Sequence, residues 1–503
     1  MKKTIYSTIF ILLSLVMASI MSGCQDSGKK AFNRLLLQLA EDDHTIDHND
    51  WTAIEKWMLE NASSLNELRD GNHLDIKKTK EYIADFFKNR RPSADIAFVG
   101  IGSKPFMAVH LYLERSGSMT PYDSREGDGL FKSAIVQLLN SLPGDNGDNR
   151  IYIVNSTVNA YPEGFDKFLA DTDIFESTKG IGDASYTDFG SIFSDLLNKT
   201  GDNDLSILVT DMIYSTKSMS GVSPQKIFNE AEGMTNAVFK NIGTQKSMLV
   251  VKLHSGYHGS YYSYDAPSSG KRYDGQRPYY MVIVASNANM ARLTTDSHYQ
   301  AFAKLAQIKG YEDEYLFSAA PPYSPYHSLL LSHSDIRGRF KPERGTGTQV
   351  TAIKDVETDR DTKDLRLVLA VDLSHMFIAD SYLADAKNYE VTSSCGMKIT
   401  SVRPIKNGDL TEAEKRYAGT ATHLITLITE KTVTKDEIHI RLKNVLPVWI
   451  ASTSTDDDRD THAANFSQTT FGLKYLLGGI YQSYKKSAGG VPDYFDLVLK
   501  LSE

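Results

Sequence analysis

Cysteine is nearly missing: two in 503 residues, Cys24 and Cys395. That excludes a disulfide framework and leaves stability to packing. Excess positive charge is also absent. The formal net charge is -8, from 55 Lys and Arg against 63 Asp and Glu, which argues against non-specific nucleic-acid binding. No internal repeat is evident. There is no Walker phosphate loop and no His-Glu-x-x-His pair. Ser116 and Ser118 do not sit in Gly-x-Ser-x-Gly, because Glu114 holds the first glycine's place and Thr120 the last. Gly180-Ile181-Gly182 lacks the third glycine of a dinucleotide loop. What remains is globular in texture, 41% hydrophobic and 23% charged, with length for roughly three domains at about 150 residues each.

One long apolar run exists, Ile5 to Ile20, with Lys2 and Lys3 ahead of it and small residues behind. This predicts an export signal, and its 16 residues are short for a spanning helix. A plain secretory signal or a membrane anchor are the alternatives. Met21-Ser22-Gly23-Cys24 resembles the lipobox of bacterial lipoproteins. The resemblance implies that residues 1–23 are a signal peptide and that Cys24 is lipidated, anchoring the chain to the outer membrane or the periplasmic face of a bacterial envelope. Loss of Lys2 and Lys3 with that peptide takes the net charge from -8 to -10. Gln25 follows, so no acidic retention signal stands at that position. The other cysteine, Cys395, has no histidine near it in sequence and reads as a half-buried structural residue.

The predicted fold class is multidomain α/β: a doubly wound, mostly parallel sheet with a helical region before it and a β-sandwich-like domain after it. Residues 24–93 carry three amphipathic patterns, around Ala31–Leu39, Trp51–Leu59 and Ile76–Phe87. Such helices cannot each bury a face alone and are expected to form a small bundle. From 94 to 309 strand and helix patterns alternate, which builds a sheet covered on both faces, with binding sites at the carboxyl ends of its strands. Within this domain His254 to Gln276 is dense in Tyr, Gly and Ser and lacks apolar periodicity. It is expected as a long loop and part of a ligand surface, and His254 and His258 lack the further ligands a metal would need. Residues 310–344 are expected as a linker. Residues 345–455 show short alternating strands of a sandwich of immunoglobulin-like type without its cysteine pair. Asp355 to Asp361 and Asp456 to Asp458 are expected as solvated acidic turns. Residues 456–503 are expected as a helix, Thr470 to Tyr484, and a strand, Phe495 to Leu501, docking on the body.

The stretch that carries chemistry is Met107 to Met119, MAVHLYLERSGSM, an apolar strand ending abruptly in Ser116-Gly117-Ser118. Two hydroxyls after a carboxylate, Glu114, make a hard oxygen-donor set that Mg²⁺, Mn²⁺ or Ca²⁺ accept. LYLERSGSM resembles the first strand and metal loop of von Willebrand factor A domains, whose motif is Asp-x-Ser-x-Ser. Tyr186–Leu197, YTDFGSIFSDLL, and Leu205–Asp211, LSILVTD, are similar to two further stretches of that family, in family order. The resemblance implies that Ser116, Ser118 and Thr187 ligate a divalent cation directly and that Glu114 and Asp211 act mostly through water. An open coordination position then takes a carboxylate from a partner. Glu114 departs from the family's Asp: its extra methylene moves the carboxylate by roughly an ångström, and Mg²⁺ tolerates little distortion.

The function expected is therefore an envelope-anchored, non-enzymatic binding protein for a protein or peptide ligand. A metal-independent scaffold of an envelope complex is the alternative, and a hydrolase using Glu114 or Asp211 is the least favoured.

Overall fold

A computed structural model describes residues 26–502 apart from 41–44, 47, 62–64, 71–72, 91–95, 99–105, 143–148, 172, 216–218, 241, 243–244, 300, 321–323, 345–346, 432–434 and 488–492. Residues 1–23, expected as a signal peptide, and Cys24 lie outside the described residues. Among those described, no helix is long and apolar enough to cross a membrane. The chain divides into two compact units, 1–106 and 107–503.

The first unit holds three helices, α1 (Asp26–Ala40), α2 (His48–Glu60) and α3 (Ile76–Arg90). Each buries residues spaced by three or four: Phe32, Leu36 and Ala40; Trp51, Ile54 and Met58; Ile83 and Phe87. These spacings stack side chains on one stripe, and the stripes meet in a single core. Tyr82 of α3 donates its hydroxyl to Asn33 of α1 at 2.8 Å.

The second unit begins with β1 (Ala108–Glu114). Val109, Leu111 and Leu113 enter one apolar core and Tyr112 another, so this strand is buried on both faces, as its unbroken apolar run requires. After it come α4 (Leu130–Asn140), β2 (Arg150–Val154), β3 (Val158–Ala160), α5 (Phe189–Lys199), β4 (Asp204–Thr210), α6 (Pro224–Val238), β5 (Lys246–Tyr261), β6 (Lys271–Ser286), α7 (Asn287–Thr295) and β7 (Tyr311–Phe317). The sheet order is β7-β5-β6-β4-β1-β2-β3. β1 is parallel to both β2 and β4. The other pairings are antiparallel, so the sheet is mixed around a parallel centre. α4 and α7 cover one face, and α5 covers the other.

Two expectations are corrected here. His254 to Gln276 is largely not a loop: β5 and β6 are 16-residue strands paired from Lys246↔Ser286 out to Tyr261↔Lys271. Backbone pairing needs no apolar alternation, so this Gly- and Ser-rich sequence hid its own strands. Residues 310–344 are not a linker either. They contribute β7 to this sheet and one strand to each of the next two sheets, and β7 reads YEDEYLF, whose acids masked the buried Tyr315 and Phe317.

The following strands are β8 (His327–Leu329), β9 (Arg339–Pro342), β10 (Ala352–Glu357), β11 (Leu365–Val371), β12 (Tyr389–Thr392), β13 (Lys398–Pro404), β14 (His423–Thr429) and β15 (Asp436–Leu442); helix α8 (Leu473–Ser487) and β16 (Phe495–Ser502) end the order. They form a four-stranded sheet, β8-β11-β14-β13, and a five-stranded one, β9-β10-β16-β15-β12. One apolar core lies between them, with Leu367, Leu369, Ile425 and Leu427 from the first and Ile438, Ile440, Leu497 and Leu499 from the second. This is a β-sandwich. β16 is its interior strand, parallel to β10 and antiparallel to β15, rather than an element docked outside. α8 instead packs on the seven-stranded sheet beside α6, through Leu476, Leu477, Ile480 and Tyr484. The final segment thus serves both layers systems in turn.

Candidate functional site

The carboxyl ends of β1 and β4 lie side by side because the strands are parallel neighbours, Leu113 pairing with Val209. β1 stops at Glu114, where Arg115 still donates its N–H to Val154 O at 2.8 Å. The Ser-Gly-Ser loop then turns, and Met119 and Tyr122 anchor it from below, both buried. Tyr122 donates its hydroxyl to Pro278 O at 2.5 Å and packs edge-on against Tyr257 and Tyr279. Beyond β4, Asp211 is followed by Met212 at φ 58. A non-glycine residue in the left-handed region is uncommon, and strain of this kind gathers at functional sites. Thr187 comes from the loop before α5. That loop is fixed by Asp188, whose carboxylate caps the helix at Ser191 N, and by Thr187 N–H donating to Ser215 Oγ at 3.1 Å.

All five residues singled out in the sequence are buried or nearly so at this edge. Ser116 Oγ and Ser118 Oγ are 3.0 Å apart. Glu114 is 1% exposed; one of its carboxylate oxygens accepts from Thr187 Oγ1 at 2.5 Å and the other from Thr210 Oγ1. Asp211 Oδ1 accepts from Ile213 N at 3.0 Å, while its Oδ2 is buried with no hydrogen-bond partner. Burial first, then the charge of Asp211, pushes the Glu114 carboxyl up to about 8, against the hydroxyls of Thr187, Thr210 and Ser116. Burial also raises Asp211, opposed by Ser118, the Ile213 N–H and the Arg277 guanidinium. Two buried acids so placed resist being ionised together unless positive charge joins them.

Sequence reasoning missed four neighbours. Thr210 ends β4, and its hydroxyl holds Glu114. Met212 supplies the turn after Asp211. Arg277 is buried, its guanidinium 4.2 Å from the Phe466 ring centroid and 4.8 Å from that of Tyr261, and it donates to Phe466 O. A Cβ on Gly117 would meet Tyr262 Cε2 at 3.0 Å, so the Tyr262 ring overlies the loop and glycine is what admits it. Nothing in the linear spacing joins residues 117, 262 and 277; the β5–β6 hairpin does.

The same hairpin divides the tyrosines of 254–276: Tyr257 and Tyr261 are buried, while Tyr262, Tyr264 and Tyr273 are half-buried. Tyr279 and Tyr280 are core residues as well, and only the tip, 262–270, is left as a turn. Asp458, expected in a solvated turn, is buried and accepts from Tyr261 Oη at 2.8 Å and Tyr264 N at 3.1 Å. His258 lies with Glu126 and Asp274 in a group whose ligand atoms are all within 4.8 Å, able to hold a metal ion. Its acids are already paired with Arg272, at 3.0 Å and 2.8 Å. Cys395 is buried, and burial with Asp436 beside it raises its thiol to about 11, which leaves it an inert core residue at neutral pH. Compared with protein-family models, with curated proteins and with solved structures, the chain finds no match.

Proposed function

We propose that this chain is an envelope-anchored binding protein whose von Willebrand factor A-type domain engages a protein or peptide ligand through a divalent cation, Mg²⁺, Mn²⁺ or Ca²⁺. One observation carries the reading: three hydroxyls and two carboxyls converge on one sheet edge, and an oxygen of Asp211 there is buried and unsatisfied. A buried carboxylate oxygen without a donor is costly. A cation held by Ser116, Ser118 and Thr187, with Glu114 and Asp211 behind, would remove that cost and let both acids ionise. When bound, the cation supplies an electrophilic position for a ligand carboxylate. The chain does the rest. Thr210 and Thr187 orient Glu114, the Ile213 N–H orients Asp211, and Arg277 adds fixed positive charge that favours an arriving anion. Tyr262, half-buried over Gly117, has to make room for the ligand. Lipidation at Cys24 belongs to the same proposal, and Cys24→Ser is expected to release the chain from membranes.

Calorimetric titration of Mg²⁺, Mn²⁺ and Ca²⁺ into the full chain tests the site. Saturable binding that Ser118→Ala abolishes is expected; binding that persists with Ser116→Ala and Ser118→Ala together would overturn it. A metal-independent scaffold is the second reading, favoured by the two hydroxyls that already satisfy Glu114. Partner capture from membranes that is unchanged by chelator decides for it. Neither reading involves turnover, and phosphoester, ester and peptide substrates should remain intact.

A further inference from the structure

A cavity of about 360 Å³ lies at the seam between the seven-stranded sheet and the sandwich. α7 and β7 give one wall; the segment 375–378, Asn444 and residues 493–494 give the other. Its volume is at the lower end of the range of about 300–1,000 Å³ typical of small-molecule sites, which favour such seams. Met290, Leu316, Phe377 and Ile378 make an apolar body.

The charge of the walls is one-sided. Neither Lys nor Arg lines the cavity; the ionisable lining residues are Asp493, His375 and Tyr494, and burial holds the Tyr494 hydroxyl well above its ordinary range. His375 Nδ1 is 3.2 Å from Thr294 O. A carbonyl only accepts, so Nδ1 carries a proton. Lys443, which also acts on Asp493, is itself bridged to Glu390. A buried acid stands nearby, outside the lining. Glu314 stands two residues before Leu316 on the same side of β7, and its Oε2 is buried without a hydrogen-bond partner. Burial, with Asp313 and Asp380 nearby, raises that carboxyl to about 8. The cavity therefore sets the Asp493 carboxylate beside an apolar chamber with no lining Lys or Arg to neutralise it.

We propose that this cavity is a binding site for a compact apolar amine, its hydrocarbon body among Met290, Leu316, Phe377 and Ile378 and its ammonium directed to Asp493. The site is separate from the Ser116 loop and does not depend on how that loop is read.

Calorimetry on the full chain with phenethylamine, 2-phenylethanol and phenylacetate tests it. Phenethylamine should bind saturably, at least tenfold tighter than the alcohol, and phenylacetate should not bind. Asp493→Asn should cost the amine about tenfold and leave the alcohol unchanged. Ala291 and Ser324 are exposed at the rim, so Ala291→Trp or Ser324→Trp can block the cavity without burdening the core, and circular dichroism confirms that each variant folds. Loss of amine binding in either folded variant supports the site. No saturable binding, equal affinity for amine and alcohol, tighter binding of phenylacetate, or binding unchanged in both tryptophan variants would overturn it.

Discussion

Lys363 is held at φ 60 in the turn that connects β10 to β11, with its side chain exposed and its N–H bonded to Asp359 O at 3.1 Å. The left-handed conformation costs an L-residue roughly 1–2 kcal/mol, and glycine avoids it at some entropic cost. Lys363→Gly is therefore expected to raise stability by about 0.5–1 kcal/mol, measured by denaturant unfolding; a loss would mean that the lysine makes contacts worth more than its strain. Asp436 gives the pH dependence. Burial alone would raise its carboxyl, but the N–H groups of Cys395 and Ser394 outweigh that and hold it at about 2, at 2.9 Å and 3.1 Å. A carboxyl depressed in the folded state stabilises fully above its unfolded value near 3.8 and ceases to do so as the pH falls towards 2. Unfolding of the native chain should thus steepen between pH 4 and 2 relative to Asp436→Asn, and parallel curves would refute the assignment.

Among the elements, α8 holds two adjacent glycines in opposite circumstances. A Cβ on Gly478 would meet nothing within 4 Å, whereas one on Gly479 would lie 2.0 Å from Thr235 Oγ1 and 3.0 Å from Glu232 O. Gly479 is what lets α8 and α6 approach. Alanine favours a helix over glycine by about 1 kcal/mol, so Gly478→Ala is expected to stabilise by somewhat less than that. Gly479→Ala should instead cost about 1–3 kcal/mol through overpacking. Thermal unfolding of the two variants side by side checks the sign of each. The helices and the strands around the site were legible because their apolar spacing is strong: VHLYL and LSILV could hardly be anything but buried strands, and the Ser-Gly-Ser turn had to follow one of them. β6 was legible only in its apolar half, Tyr279–Ala285, and β7 was not. Long antiparallel strands rich in Tyr, Gly and Ser draw their stability from backbone pairing and from aromatic contacts far off in sequence, such as Tyr261 with Phe466 at 4.8 Å, and no local window contains that information.

In the molecule as a whole, Glu114, Ser116 and Ser118 were legible as an oxygen-donor set at the end of an apolar strand, whereas Thr187 and Asp211 were named only through the family resemblance. Arg277 and Tyr262 were not legible, since their part in the site exists only once the hairpin has crossed the sheet. The ordering of the sandwich was hidden in the same way: Phe495–Ser502 alternates cleanly, with Phe495, Leu497, Leu499 and Leu501 buried, yet nothing in that alternation says that it enters between β10 and β15. Leu499→Ala is accordingly expected to cost about 2–5 kcal/mol, as a core truncation does, and to loosen the sandwich as a unit. Urea unfolding would show it, and a cost below 1 kcal/mol would contradict an interior strand.

That interior strand also bears on how the protein is made. Ribosomes deliver the chain in one direction, and β10 and β15 can bond to β16 only after everything between them has emerged, α8 included. Until then the sandwich has a gap in its middle and the seven-stranded sheet lacks part of the cover on one face. A nascent chain stopped short of residue 495 is expected to be open to protease in both regions, and release of the finished polypeptide to close them together.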